Sequence, residues 1–178
     1  LAIGEHDLAK TLRAINSVIY RNVQRMGLDR QITLSLLDYR HGNLCLSGQH
    51  ESVIVVRSHG EIELIDTVEL GFPLGLIDDI SEFVGQHQFH LEPGDGVVLY
   101  TDGITEAERR ISTADGFERQ LYGLDRLMIQ LQKHWHESAT AIRHAVLSDV
   151  QQHIGDHKVY DDITLVVCKR RSPNQQQH

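Results

Sequence analysis

The chain has 178 residues, of which 40% are hydrophobic, 25 are acidic and 17 are basic, giving a formal net charge of −8. This length and composition are typical of one soluble domain with its own core. The negative charge argues against a nucleic-acid partner, because neutralising phosphates requires a basic surface. No apolar run approaches the roughly 20 residues of a membrane span. No signal peptide is visible either, so we expect a cytoplasmic protein without direct membrane insertion.

Cysteine and histidine usage gives no metal-site pattern. Cys45 and Cys168 lie inside separate apolar runs, and we expect two buried free thiols in a reducing compartment. The 12 histidines are scattered, without the pair at i and i+4 around a glutamate that marks a helical zinc site. We therefore expect most histidines at the surface.

The predicted elements begin with an amphipathic helix that Asp7 caps and Gly27 ends. Its apolar residues recur at steps of three or four and predict one buried stripe, Leu8, Leu12, Ile15, Ile19 and Val23. Alternating or apolar runs then predict strands at 32–36, 44–48, 52–57, 61–65, 83–91, 96–100 and 163–169. Pro93 and Gly94 occupy the central positions of a type II turn, which predicts that strands 83–91 and 96–100 form a hairpin.

The second half of the chain adds a polar stretch at 108–122, which we predict to be a loop. Helices are predicted from Leu124 and after a capping Ser138. Because the strands are grouped in hairpins and do not alternate with helices, the sequence predicts an α+β domain with mainly antiparallel sheets.

Two acidic positions lie where predicted strands meet the surface. Asp102 follows strand 96–100 and precedes Gly103, while Asp161 and Asp162 come just before strand 163–169. Asp102 and Asp161 are 161 − 102 = 59 residues apart, so only a tertiary fold can bring them together. If it does, carboxylate oxygens converge on one point, which suits Mg²⁺ or Mn²⁺. Taken singly, Asp102 is more simply explained by a turn, and Asp161 and Asp162 by a solvated strand start.

The sequence resembles the metal-dependent (PPM-type) serine/threonine protein phosphatases, in their bacterial SpoIIE/RsbU-like branch. Four motifs carry the resemblance in the family's order: LEPGD at 91–95, VLYTDGITEA at 98–107, YGLDRL at 122–127 and DDITLVV at 161–167. Two shorter turns, GQHE at 48–51 and PLG at 73–75, fall where the family has a GH turn and a PLG turn. The resemblance covers nearly all of residues 8–169.

The resemblance implies an α-β-β-α sandwich, two antiparallel sheets flanked by helices, that hydrolyses phosphoserine or phosphothreonine in proteins. In that family a pair of Mn²⁺ or Mg²⁺ ions activates a bridging water and neutralises the phosphoryl oxygens. Asp102 and Asp161 match the carboxylate ligands of the family. Gly103 would let the backbone turn close to the ion. Asp162 stands where relatives often carry Asn, and we assign it a supporting role.

One departure from the family pattern limits this reading. The family also has an upstream GD…GHG segment whose aspartate bridges both metals, and no such segment occurs in this sequence. We therefore expect residues 1–171 to be the C-terminal portion of a phosphatase domain, truncated at its N-terminus, followed by a polar disordered tail at 172–178. At most one partial metal site is then expected, with little turnover. Unpaired sheet edges would favour a dimer.

Two functions remain open from the sequence. The first is an enzyme, a signalling phosphatase attached to an upstream sensor or receiver domain, whose phosphoprotein substrate in that branch is commonly an anti-sigma-factor antagonist. The second is a catalytically dead phosphatase-like module that only binds a signalling partner. We favour the enzyme, because a pure binder does not need acids at both strand ends.

Four further residues allow two readings each. Glu106 is either a residue that orients water or a first-turn helix glutamate. His50 is either an acid or, in our preferred reading, a structural hydrogen-bonding residue at a strand end. Trp135 and Tyr122 are most simply anchors in the core or on a helix surface. The stretch from Arg109 to Phe117 is either a plain polar loop or a flap on the substrate side.

Overall fold

The computed structural model describes residues 7–27, 30–113, 116–155 and 162–171. Asp161 and the predicted tail at 172–178 lie outside the described residues. The chain divides into two compact units. The first contains residues up to Ser52 together with Asp66–Leu91, and the second contains Val53–Ile65 together with the residues from Glu92 onward.

The first unit begins with helix α1, Leu8–Met26. The Asp7 carboxylate accepts a 2.9 Å hydrogen bond from the Lys10 amide, and Gly27 adopts the left-handed conformation with φ 61°. Both predicted caps are therefore confirmed, because a short acidic side chain satisfies a free amide at the helix start and glycine accepts positive φ at its end.

The sheet of the first unit has three antiparallel strands in the order β1-β2-β5. These are β1 (Leu34–Arg40), β2 (Asn43–Gln49) and β5 (His87–His90). Leu12 of α1 is buried in a cluster with Leu74 and Ile80, against which Leu34 and Leu36 pack. Strand β5 covers only residues 87–90 of the strand predicted at 83–91.

The sheet of the second unit has four antiparallel strands in the order β4-β3-β6-β9. They are β3 (Val53–Val56), β4 (Ile62–Ile65), β6 (Gly96–Tyr100) and β9 (Leu165–Lys169). All four residues of β3 and four of the five in β6 are buried, as expected of central strands.

The hairpin predicted between strands 83–91 and 96–100 is wrong. The turn itself is present, since the Asp95 amide donates to the Glu92 carbonyl at 2.9 Å and Gly94 has φ 95°. However, β5 pairs with β2, whereas β6 pairs with β3 and β9. The turn therefore carries the chain from the sheet that contains β5 to the sheet that contains β6.

Two helices cover the sheet of the second unit. They are α3 (Leu124–His134) and α4 (Ala139–Ile154), and the Ser138 hydroxyl caps α4 by accepting from the Ala141 amide at 3.2 Å, as predicted. Leu127, Leu131, Trp135, Ile142 and Val146 form one buried cluster with Ile54, Val56 and Val98 of the sheet. Trp135 and Tyr122 are thus confirmed as core residues, 2% and 4% exposed.

The stretch predicted as a polar loop forms a two-stranded antiparallel hairpin, which corrects the prediction. Its strands are β7 (Glu108–Thr113) and β8 (Gly116–Leu121). Every residue of β8 is exposed, so the ribbon lacks the apolar alternation that identifies a half-buried strand. The hairpin follows the short helical turn α2, Asp102–Thr105.

The predicted α+β class with antiparallel sheets and helices is confirmed. Two smaller expectations are wrong: the free thiol of Cys45 is only half-buried, and that of Cys168 is exposed, because its side chain lies on the outward-facing positions of β9. His153 also departs from the expected surface position, being 2% exposed. Within the described ranges, no helix combines the length and the apolar character needed to cross a bilayer.

Candidate active site

Asp102 lies where strand β6 ends and the turn α2 begins. Its Oδ1 accepts a 2.9 Å hydrogen bond from the Gly103 amide, while the residue is exposed. Gly103 itself is buried. In the described part of the chain, no cation forms an ion pair with Asp102. This carboxylate is held by a rigid strand and keeps an oxygen available, which suits a hard divalent cation.

Thr101 joins the end of β6 to the segment that precedes β9. Its hydroxyl donates to the Asp162 carbonyl at 2.9 Å and accepts from the Thr164 amide at 3.0 Å. The Thr101 amide also donates to the Thr164 carbonyl at 3.2 Å. These three bonds place the backbone of residue 162 beside the residue that immediately precedes Asp102.

The predicted ligand set is only partly visible. Asp102 and Gly103 follow the end of β6, and Asp162 precedes the start of the antiparallel strand β9 beside it, whereas Asp161 is outside the described residues. Asp162 is exposed. Among the residues that the structure describes, no three carboxylates, histidines or cysteines converge as a metal-binding group. The carboxylate oxygens present have the chemistry that Mg²⁺ and Mn²⁺ prefer, so they fit a partial site.

The β7–β8 hairpin is rooted in the same turn as Asp102. The Tyr122 amide donates to the Ala107 carbonyl, and the Gly123 amide donates to the Thr105 carbonyl, both at 2.9 Å. The chain therefore leaves and rejoins the site within hydrogen-bonding distance of α2. The exposed ribbon thus starts six residues after the candidate metal ligand.

A partly buried ionic cluster fixes the hairpin root to α3 and α4. Arg126 Nε and Nη2 donate to the two carboxylate oxygens of Asp149 at 2.8 and 2.9 Å. The Tyr122 hydroxyl donates to Asp149 Oδ2 at 2.8 Å. The hydrogen bonds from Arg126 chiefly hold the pKa of Asp149 below its usual range. Burial and the bond to Asp149 raise the pKa of Tyr122.

His153 completes this cluster from inside α4. Arg126 Nη1 lies 3.1 Å from His153 Nδ1, and because a guanidinium only donates, Nδ1 is the acceptor. The other ring nitrogen, Nε2, then carries the proton and donates to the Gln120 carbonyl at 3.1 Å. The neutral ring therefore ties strand β8 to the ionic cluster. Sequence reasoning missed this role, although Asp149 and His153 are four residues apart on one helix face.

The acid of the LEPGD motif is structural. Asp95 Oδ1 accepts from the Ser58 amide at 2.7 Å, and Oδ2 accepts from the Glu92 amide at 2.9 Å and from Arg57 at 3.1 Å. Burial opposes ionisation of this 3%-exposed residue, but its donors outweigh burial and hold the pKa of Asp95 below its usual range. The motif thus clamps the sheet-switching turn to the β3–β4 turn.

The local structure around His50 and Glu106 bears on the two readings given for each. His50 Nδ1 lies 3.0 Å from the Thr33 hydroxyl, and the backbone of His50 exchanges hydrogen bonds with Thr67. The preferred reading of His50 as a structural hydrogen-bonding residue agrees with these contacts. Glu106 follows the last residue of α2, so the first-turn reading of this glutamate is wrong.

Comparisons with solved structures define the class of fold. The SiaA-PP2C domain of Pseudomonas aeruginosa matches with a TM-score of 0.63 at 20% identity, over 91% of this chain and 69% of that one. The RsbU and RsbW domains of a Mycobacterium tuberculosis protein match with a TM-score of 0.65 at 18% identity, over 94% of this chain and 43% of that one. The SpoIIE phosphatase domain of Bacillus subtilis, presoaked with Mn, matches with a TM-score of 0.55 at 14% identity, over 96% of this chain and 76% of that one. The fold is therefore that of PP2C-type phosphatase domains.

The sequence comparison identifies the family. The model of the family Stage II sporulation protein E (SpoIIE) matches residues 1–171, and the chain belongs to this family. Phosphoserine phosphatase RsbU of Bacillus subtilis is 27% identical over 168 residues, covering 92% of this chain and 45% of RsbU. Protein IcfG of Synechocystis sp. is 26% identical over 160 residues, covering 89% of this chain and 23% of IcfG. The chain thus spans less than half the length of each of these relatives.

Proposed function

We propose that this chain carries a Mn²⁺- or Mg²⁺-dependent protein phosphatase site for phosphoserine and phosphothreonine, in a bacterial signalling protein. The observation that supports this most is the hydrogen-bonded junction of Thr101 with Asp162 and Thr164. It ties the residue that precedes Asp102 to Asp162, which follows the second predicted acid, Asp161, in the sequence. The SpoIIE family membership and the similarity to a phosphoserine phosphatase point to the same chemistry.

In this proposal Asp102 and Asp161 are metal ligands, Gly103 permits the tight backbone turn beside them, and Asp162 supports the site. The bound ions would supply Lewis-acid activation of water and charge neutralisation on the phosphoryl group. The protein's own part is to hold the two carboxylates on neighbouring strand ends. The exposed β7–β8 hairpin carries Arg110 and Arg119, the latter in an ion pair with Glu108, and in this proposal it contacts the phosphoprotein beside the site.

The proposed setting is the bacterial cytoplasm. There an upstream sensor or receiver domain in the same polypeptide would control the site, with an anti-sigma-factor antagonist as the kind of phosphoprotein substrate and a homodimer as the assembly. The limited coverage of the curated relatives leaves ample length in such proteins for additional domains. These partners rest on the family resemblance, whereas the site itself rests on the geometry around Thr101.

The test is release of phosphate from a phosphoserine protein by the full-length protein in Mn²⁺. Asp102→Asn and Asp161→Asn should each lower kcat/KM by at least about 100-fold, because removing a ligand exceeds the effect of disturbing its surroundings. Asp125→Asn is the matched control, since Asp125 is an exposed acid on α3 outside the site. Unchanged turnover in both ligand variants would refute the proposal. Phosphoprotein binding without any turnover would favour the binding module.

A further inference from the structure

The first unit contains an apolar groove that the proposed phosphatase chemistry does not use. Its volume is about 640 Å³, and its apolar lining consists of Val68, Phe72, Pro73, Leu76, Phe83 and Val84. Val68, Leu76 and Phe83 are 59%, 46% and 44% exposed. Large apolar side chains that stay exposed at one place are typical of a surface that another molecule covers.

Backbone and side-chain contacts connect the walls of the groove. The Gly85 amide donates to the Leu70 carbonyl at 3.3 Å, and the Ser47 hydroxyl donates to the Gly85 carbonyl at 2.7 Å. The rings of Phe72 and Phe83 meet with centroids 4.6 Å apart. These contacts fix the walls before any partner arrives, which reduces the entropy lost on binding.

Among the described residues, the charged side chains that line the groove are all acidic. Glu69 and Glu82 line it, and no lysine or arginine does. The segment 66–91, which supplies all of the apolar lining, contains five acids and no lysine or arginine; the acids are Asp66, Glu69, Asp78, Asp79 and Glu82. An occupant of this groove must therefore be apolar on one side and positively charged around it.

We propose that this groove docks a basic, amphipathic segment of a partner protein, with the apolar side chains in the groove and its lysines or arginines beside Glu69 and Glu82. A second copy of this chain fits less well, because it carries a net charge of −8. Nucleic acid and anionic membrane are disfavoured for the same reason. None of the lining residues belongs to the set proposed for phosphate hydrolysis, so the groove would serve recruitment or control.

The experiment is fluorescence anisotropy of the full chain with two labelled amphipathic peptides, which share leucines at i and i+4 and differ only in lysine or glutamate elsewhere. The lysine peptide should bind at least about tenfold more tightly than the glutamate peptide. The double substitution Val68→Ser/Leu76→Ser should weaken the lysine peptide about tenfold, since it removes the apolar anchors. Glu69→Gln/Glu82→Gln should weaken it about fivefold and flatten its salt dependence.

The matched control is Val18→Ser/Met26→Ser, which removes two equally apolar side chains, each 62% exposed, from helix α1 outside the groove. This control should bind like the unmodified chain, and thermal melts confirm that each variant folds. Equal effects of the two serine pairs, or equal binding of both peptides, would overturn the proposal. Self-association in sedimentation that Val68→Ser/Leu76→Ser abolishes would also overturn it, because a second copy would then be the occupant.

Discussion

The Thr101 hydroxyl donates a 2.9 Å hydrogen bond to the main-chain carbonyl of Asp162, a residue 61 positions further along the chain. The same oxygen accepts from the Thr164 amide. A single side chain thus fastens the end of one central strand to the start of the edge strand beside it. Asp102 follows Thr101 directly, and Asp162 belongs to the second acidic motif, so substitutions at this junction test the proposed site.

Thr101→Val keeps the shape of the side chain and removes both hydrogen bonds of the hydroxyl. We expect the free energy of unfolding to fall by about 1–3 kcal/mol, because the Asp162 carbonyl and the Thr164 amide lose a partner. If the proposed function holds, Mn²⁺-dependent turnover should fall as well. Thr164→Val is the matched control, since Thr164 takes part in this junction through its main chain. Equal stability of the two variants in urea unfolding would contradict the role given to Thr101.

Asp149→Asn tests the cluster that holds the hairpin root. The asparagine cannot satisfy both nitrogens of Arg126 and the Tyr122 hydroxyl, so we expect a loss of about 1–3 kcal/mol in unfolding free energy. The value stays modest because the Arg126 side chain is 38% exposed. Asp125→Asn, on the exposed start of α3, should change stability by less than about 0.5 kcal/mol. The hydrogen-exchange rates of the β8 amides should rise only in the Asp149 variant. Unchanged rates would show that the ionic cluster does not stabilise the hairpin.

Asp95 should make stability depend on pH in the acid range. Its folded pKa lies below the unfolded value of about 3.9, so its stabilisation is complete above that value and is lost as pH falls through the folded pKa. Asp95→Asn should therefore destabilise the protein near about pH 7, and its difference from the unmodified chain should shrink toward about pH 3. Urea unfolding across this range is the measurement. A difference that stays constant with pH would show that the charge of Asp95 does not matter.

Gly96→Ala should disrupt the pairing of β6 with β9. A Cβ atom at this position would lie 2.2 Å from the Cys168 carbonyl oxygen and 3.0 Å from Cη2 of Trp135, and the carbonyl belongs to the paired backbone. We expect a loss of about 3 kcal/mol or more, seen as a lower melting temperature. Gly27→Asn is the control, because a Cβ atom added there would meet no described atom within 4 Å beyond its own local backbone, and asparagine tolerates the left-handed conformation. Similar melting of both variants would contradict close packing at Gly96.

Local chemistry in the sequence predicted the elements whose signals are local. Asp7, Gly27 and Ser138 form the expected caps, because each satisfies helix-end groups within a few residues. The sheet-switching turn shows the limit: Pro93 and Gly94 specify a turn, but only tertiary burial selects which strands pair on either side. The exposed ribbon after Ala107 was missed for another reason, since a strand that buries neither face leaves no apolar pattern.

The candidate site divides in the same way. The exposed position of Asp102 at a strand end could be predicted, because an acid and a glycine follow an apolar strand closely, whereas its role as a metal ligand stays a prediction. The partnership of Arg126 with Asp149 and His153 could not be, because it joins residues 23 and 27 positions apart across two helices. Its only sequence trace is spacing, Tyr122 with Arg126 and Asp149 with His153, each four apart. The pairing of Asp102 with Asp161 stays a prediction.

Electron paramagnetic resonance titration of Mn²⁺ tests the shared metal site most directly, because it reports binding without requiring turnover. The full-length protein should bind Mn²⁺, and Asp102→Asn and Asp161→Asn should each weaken that binding by at least about tenfold, whereas Asp125→Asn should leave it unchanged. Binding that survives both substitutions, or that responds to Asp102 but not to Asp161, would contradict a single site shared by the two strand ends.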